Sequence, residues 1–188
     1  MKDNPTPDII KDALLRLLET RSYKDITMSE IAAEAYIGRR TCYRYFSSKD
    51  EIMNYAMRQL VSEYARELLD PTFETFIDAA RTHYSFCGRN SHFIELLAKS
   101  NVLYFIEDHI EEEFTRIAYS AKHGTMDIDP ETLSRIRESP DYYEFLFKIS
   151  GFWRVTLLWI KQKKKYTPEQ MLDMTIHQFI RVREELYF

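Results

Sequence analysis

Glycine and proline are scarce. Four Gly and six Pro among 188 residues supply little of the turn chemistry that closely spaced strands need, and no stretch alternates apolar with polar residues over a strand's length. An all-α fold of about nine helices is predicted. Cysteine is limited to Cys42 and Cys87, with no metal-ligand spacing around either, in a chain long enough to bury a core without a covalent staple. A reducing, cytoplasmic setting is expected. Long apolar runs are missing too: the most apolar stretch, residues 152–160, contains Arg154 and is far below the roughly 20 residues that span a bilayer. The opening MKDNPTPDII has neither the basic segment nor the apolar run of a secretory leader, so no membrane association is expected. No phosphate-cradling glycine loop, HExxH pair or nucleophile motif occurs, which argues against catalysis. His109 with Glu112 and Glu113 has a spacing that fits a shared metal, but a solvated helix face explains the same pattern. No metal or cofactor is predicted.

Positive charge is not in excess either. Lys and Arg number 26 against 30 Asp and Glu, for a net charge of −4, which excludes a general coat for polyanions. What is present is a local cluster: Arg39, Arg40, Arg44 and Lys49 fall within eleven residues. They belong to TMSEIAAEAYIGRRTCYRYFSSKDE, residues 27–51, where Thr27 and Glu30 form a capping-box pair that opens a short helix. Ile31, Ala32 and Ala35 give this helix a narrow apolar face. A tight joint through Tyr36, Ile37 and Gly38 leads into a second short helix carrying Arg39, Arg40, Thr41, Tyr43 and Arg44. Ser48 and Glu51 make another capping pair for the helix that follows.

A helix of that size fits the major groove, where side chains reach base edges. Arg39 and Arg40 are placed to donate paired hydrogen bonds to guanine, and Thr41 to meet a thymine methyl or a phosphate. Thr27 offers a backbone contact through its hydroxyl or the adjacent amides. A solvated surface is the plainer reading of the arginines, and packing that of Tyr45 and Phe46.

The residues I31-A32, I37, R39, T41, Y43-R44-Y45-F46 and K49-D50-E51-I52 together resemble the amino-terminal domain of TetR/AcrR-type transcriptional regulators. The resemblance covers about a quarter of the chain. It implies a helix-turn-helix DNA-binding domain over residues 1–47, a connecting helix over 48–70, and a ligand-binding and dimerisation domain over 71–188. It also implies phosphate contacts for Tyr43 and Lys49, a homodimer on a palindromic operator, and most often repression relieved by a small molecule. Thr27, Gly38, Arg39, Arg40, Thr41, Tyr43, Arg44 and Lys49 form the expected DNA-binding set. The chain departs from the family at two positions, with Tyr36 where the turn usually has Gly and Gly38 where the cap is usually Ser or Thr. A bulky residue at a positive-φ turn costs about 1–2 kcal/mol, whereas Gly as a cap loses only a few tenths of a kcal/mol.

Beyond residue 70 the periodicity predicts helices over about 72–86, 91–99 and 101–121. Residues 124–140 read as a poorly ordered loop with a short helix at 130–137, before a long helix after Pro140 and a last one opened by Thr167-Pro168-Glu169-Gln170. The long helix is apolar around most of its circumference and must be covered on more than one side. Phe145, Ile149, Trp159, Leu172, Ile176 and Phe179 are the predicted dimer interface. The span 152–171 also resembles the carboxy-terminal domain of a Gram-positive branch of these regulators. Phe86, Phe93, Tyr104, Phe105, Phe152 and Trp153 are candidates to line a pocket for a flat or apolar effector, although an aromatic stripe at helical spacing is more often ordinary core packing. Two other readings remain open: the same DNA-binding fold controlled by a protein partner, and a helical metal enzyme or storage bundle.

Overall fold

The computed structural model describes residues 6–68, 75–105, 109, 115, 116, 119 and 128–185, and every regular element among them is helical. Helix α1, Thr6–Leu18, buries Ile10, Ala13, Leu14 and Leu18. A single 3-10 turn, Tyr23–Asp25, leads to α2, Met28–Glu34, which buries Ile31 and Ala32. Helix α3, Arg39–Tyr45, buries only Cys42. α1 packs on α2 and α2 on α3, so the second helix of the pair is carried by the first.

Helix α4, Lys49–Leu68, starts where sequence placed it: the Glu51 amide donates to Ser48 Oγ at 3.2 Å, while the Glu51 carboxylate reaches back to the Ser47 amide at 2.6 Å. Helices α5, Phe76–Arg89, and α6, Ser91–Lys99, follow. The start of α5 is later than the sequence suggested, because Thr75 and Asp78 form a capping box. The helix expected over 101–121 lies largely outside the described residues, although Tyr104, Phe105, His109, Thr115, Arg116 and Tyr119 are helical. Residues 124–127 of the expected loop also lie outside them. Asp129 caps α7, Pro130–Arg137, and Ser139 caps α8, Pro140–Lys161, each with proline in the first turn. The Thr167–Gln170 capping pair opens α9, Pro168–Glu185.

The chain divides into two compact units, residues 1–63 with 96–110 and residues 64–95 with 111–188. The division falls within α4 and α6, whereas the expected segments 1–47, 48–70 and 71–188 follow the order of elements along the chain. In the second unit α5 packs against both α8 and α9, and α7 against α8.

Three helices close with the same paired amides. Tyr36 and Ile37 donate to Ala33 and Ala32, Asn101 and Val102 to Ala98 and Leu97, Lys163 and Lys164 to Ile160 and Trp159. Such an ending needs a left-handed residue, normally glycine, just past the helix. Here it is Tyr36, Asn101 or Lys163, with φ of 54°, 56° and 56°. The turn that sequence marked as strained at Tyr36 is therefore left-handed.

Candidate nucleic-acid interface

Seven residues of α3 separate into two faces. At about 100° per residue, Arg39, Tyr43, Arg40 and Arg44 occupy one continuous arc of about 140°. All four are exposed, whereas Cys42, on the opposite side, is fully buried and Tyr45 is half-buried. Burial raises the Cys42 thiol pKa, so Cys42 acts as an inert packing residue. Arg39 and Arg40 have no hydrogen-bond or ion-pair partner among the described residues. The Arg44 guanidinium lies over the Tyr45 ring at 5.1 Å. Thr41 sits half-buried at the flank of the arc. Gly38 opens α3 in extended conformation, φ −67° and ψ 144°, without a side-chain cap.

The frame behind this arc is tied by side chains. Thr27 accepts the Glu30 amide at 3.3 Å, and its own amide and hydroxyl donate to the Glu30 carboxylate at 2.9 and 2.8 Å. Arg21 donates to the other Glu30 oxygen. The Arg21 guanidinium, then the Thr27 hydroxyl and amide, hold the Glu30 carboxyl down to about 2. The Thr27 hydroxyl is thus occupied within the fold. Arg16 joins α1 to α2, donating to the Glu34 carboxylate at 2.7 Å and to its carbonyl at 3.3 Å.

Lys49 is engaged within the fold. Its ammonium donates to the carbonyls of Tyr23, Lys24 and Ile26 at 2.6, 3.1 and 2.9 Å. An ammonium has three hydrogens, and here all three are taken by the 3-10 turn and the residue after it, so the phosphate contact expected of Lys49 would have to replace one of these bonds. The Tyr23 hydroxyl meets the neighbouring Asp50 carboxylate. Burial, then that carboxylate, push the Tyr23 phenol pKa far above its usual range. Sequence reasoning passed over Tyr23 and Asp50 because 27 positions separate them.

In the second unit the residues expected at a dimer interface take different places. Trp159 and Leu172 are buried in the unit's own core. The Trp159 indole donates to the Tyr166 carbonyl at 2.8 Å and meets the Tyr84 ring edge-on at 5.8 Å. A Cβ on Gly88 would approach it to 3.3 Å. Ile176 is half-buried, and the side chains of Phe145, Ile149 and Phe179 lie outside the described set. Among its described side chains, the apolar ones that α8 leaves exposed are Tyr143, Phe147, Val155 and Leu158, of which Phe147 is 82% exposed. Tyr143, Phe147, Gly151 and Leu158 fall on one stripe, and nothing lies within 4 Å of a Cβ built on Gly151. The apolar circumference of α8 was legible in sequence; which part of it faces inward was not.

The six pocket candidates are distributed over both units. Tyr104 and Phe105 belong to the first unit, stacked on each other at 4.4 Å, with Phe105 edge-on to Tyr23 at 6.0 Å. Phe86, Phe93, Phe152 and Trp153 belong to the second. Phe86 is buried against Tyr64, ring centres 4.8 Å apart. Phe93 and Trp153 are half-buried, and the buried Trp153 Nε1 has no hydrogen-bond partner among the described residues. Phe152 lies 4.6 Å from His83, ring to ring.

His83 is the centre of a buried hydrogen-bonded chain. Its Nδ1 is 2.6 Å from the Tyr64 hydroxyl and its Nε2 is 2.7 Å from Thr156 Oγ1. Thr156 gives its single hydroxyl hydrogen to the Phe152 carbonyl at 3.0 Å. Nε2 therefore carries the imidazole proton and Nδ1 accepts from Tyr64. Burial lowers the His83 pKa to about 3, so the ring is neutral. His109 Nε2 lies 3.2 Å from Asn54 Oδ1, Glu112 and Glu113 lie outside the described residues, and no metal-binding group occurs among the described ones. No described helix is long and apolar enough to cross a membrane.

The family profile of bacterial regulatory proteins, tetR family, matches residues 10–56, which hold most of α1, all of α2 and α3 and the start of α4. Proteins named HTH-type transcriptional regulator BetI from Brucella canis, Brucella suis and Brucella abortus are 35% identical over 57 residues, or 30% of this chain. The match spans 29% of the length of these curated relatives. The solved structure of the fatty acid degradation regulator FadR from Bacillus halodurans aligns over 95% of both chains with a TM-score of 0.56 and 18% sequence identity. That likeness extends the shared fold to the carboxy-terminal helices.

Proposed function

Because residues 10–56 match the tetR family of bacterial regulatory proteins, we propose that this chain is a sequence-specific DNA-binding transcriptional regulator. It acts as a homodimer in the cytoplasm, on a palindromic double-stranded operator, as a repressor released by a small molecule. The observation that carries this reading is the exposed arc of Arg39, Arg40, Tyr43 and Arg44 on a helix anchored by its buried Cys42. The leading turn of such a helix contacts base edges, and its arginines pair with guanine O6 and N7. Tyr43, half exposed on the same arc, is suited to a phosphate.

One α3 makes too few contacts for useful operator affinity, so two copies are required. The exposed stripe of Tyr143, Phe147 and Leu158, with Val155 beside it, supports α8 as the face that joins them. For the effector, Phe86, Phe93, Phe152 and Trp153 supply apolar and aromatic surface in the second unit. The unpartnered Trp153 Nε1 offers a donor to an acceptor on a flat ligand. A difference of about 3 kcal/mol in effector affinity between two dimer arrangements shifts operator occupancy more than a hundredfold. Helix α4, which contributes to both units, is the element through which that difference would act.

Fragments of genomic DNA captured by the full chain, sequenced and then tested one by one in a mobility-shift assay, check the reading. A shared inverted repeat retarded by a dimer supports it. Failure to enrich any duplex at low salt overturns it.

A further inference from the structure

We propose that Tyr36 is a DNA-backbone contact made from the turn ahead of α3, its hydroxyl donating to a phosphate oxygen and its ring lying against the adjoining sugar. This rests on the DNA-reading role above and adds to it a residue outside the helix that carries the arginines.

The argument starts from a local conflict. Tyr36 holds φ at 54°, a region a side chain with a Cβ enters only at a cost and glycine enters freely. The helix ending it completes is made by main-chain amides alone: Tyr36 and Ile37 donate to Ala33 and Ala32 at 3.0 Å each. Glycine would make the same bonds without strain. The ring offers the fold nothing in return, since Tyr36 is 94% exposed and has no partner among the described residues. A strained residue whose side chain is held entirely in water points to a use outside the chain's own stability. Different origins are available at Asn101, a residue type tolerated in this conformation for its short polar side chain, and at Lys163, whose charged end is at home in water. Neither is available to tyrosine.

Position names the use. Tyr36 precedes Arg39 by three residues, at most about 11 Å of extended chain, and the start of a reading helix is the part that enters the groove. The ring therefore projects beside the groove, at the level of the sugar-phosphate wall. A phenol suits that wall: its hydroxyl donates to phosphate oxygen, and its flat apolar face covers sugar. Being neutral, it adds affinity without releasing a counterion, so its loss leaves the salt dependence of binding unchanged.

The test uses the full chain and a duplex selected from a randomised library by the wild-type protein. Urea unfolding and fluorescence anisotropy, the latter at several salt concentrations, are measured for wild type, Tyr36→Gly and Tyr36→Phe. The expected result is a higher urea midpoint for Tyr36→Gly together with affinity reduced about fivefold per protomer, the size of one net hydrogen bond. Tyr36→Phe should keep the wild-type midpoint and lose part of that affinity, with the slope of log K against log salt unchanged in both variants. Wild-type affinity in Tyr36→Gly overturns the proposal, as does a lowered midpoint, which would assign the ring to the fold. A wild-type chain that selects no duplex overturns the DNA-reading role itself, before any variant is compared.

Discussion

The Lys49 ammonium nitrogen lies 2.6 Å from the Tyr23 carbonyl oxygen and 4.7 Å from the centre of the Tyr23 ring. With the Lys24 and Ile26 carbonyls it completes three donated bonds, so this cation ties the turn before α2 to the first residue of α4. Replacing it with methionine leaves three carbonyls without their charged donor and is expected to remove about 2 kcal/mol of stability. Urea unfolding measures this. The slope of log K against log salt for DNA binding should stay at the wild-type value, because a phosphate contact would lower it by about one and the hydrogens of this ammonium are taken within the fold.

His83 sets a pH dependence. Its folded pKa of about 3 lies below the ordinary value of about 6.5, so the unfolded chain binds a proton in that interval and the folded chain does not. The stability it contributes is fully present above pH 6.5 and declines as pH falls toward 3, by up to about 1.4 kcal/mol per unit. Glu30, held at about 2, loses its contribution only below the ordinary carboxylate range of about 4.3. Between pH 6.5 and 5 the slope therefore belongs to His83 rather than Glu30. Stability measured across that window should fall in the wild type and fall less in His83→Gln; equal slopes would contradict the assignment.

Position 38 is open to improvement. Gly38 has φ of −67°, which any residue adopts, and a Cβ there meets nothing nearer than Thr41 Oγ1 at 3.9 Å. Serine would accept a free amide of the first turn of α3 and restrict the unfolded chain. Gly38→Ser is expected to raise stability by about 0.5 kcal/mol, read as a higher thermal midpoint.

Trp159 and Phe147 of α8 separate packing from assembly. Trp159→Ala, which empties a core site beside Tyr84 and Gly88, should cost about 3–5 kcal/mol of stability. Phe147→Glu, at a position 82% exposed, should leave helicity intact and convert the proposed dimer to monomer in analytical ultracentrifugation. A Phe147→Glu protein that sediments as wild type would place the interface elsewhere.

Local signals were the legible ones. The capping pairs at Thr27, Ser48 and Thr167, the short helix at Pro130–Arg137 and the left-handed turn at Tyr36 are encoded within four residues of themselves. So is the polar arc of α3, because one buried Cys42 fixes how the helix lies. What sequence hid depends on partners far along the chain. Lys49 reads as a free cation until the turn 23 residues or more upstream is folded against it. His83 reads as solitary until Thr156, 73 residues away, closes the chain from Tyr64. Helix α8 is apolar on nearly every side, so periodicity left undecided whether Trp159 or Phe147 faced out.

The central claim is that Arg39 and Arg40 read base edges from α3. Binding of wild type and Arg40→Ala to the captured genomic fragment, and to the same fragment with each guanine of the repeat replaced in turn, tests it most directly. The account predicts a loss of about 1–3 kcal/mol per site for Arg40→Ala with unchanged thermal stability, and indifference of the variant to one guanine that the wild type requires. Wild-type affinity and wild-type guanine dependence in Arg40→Ala would contradict it.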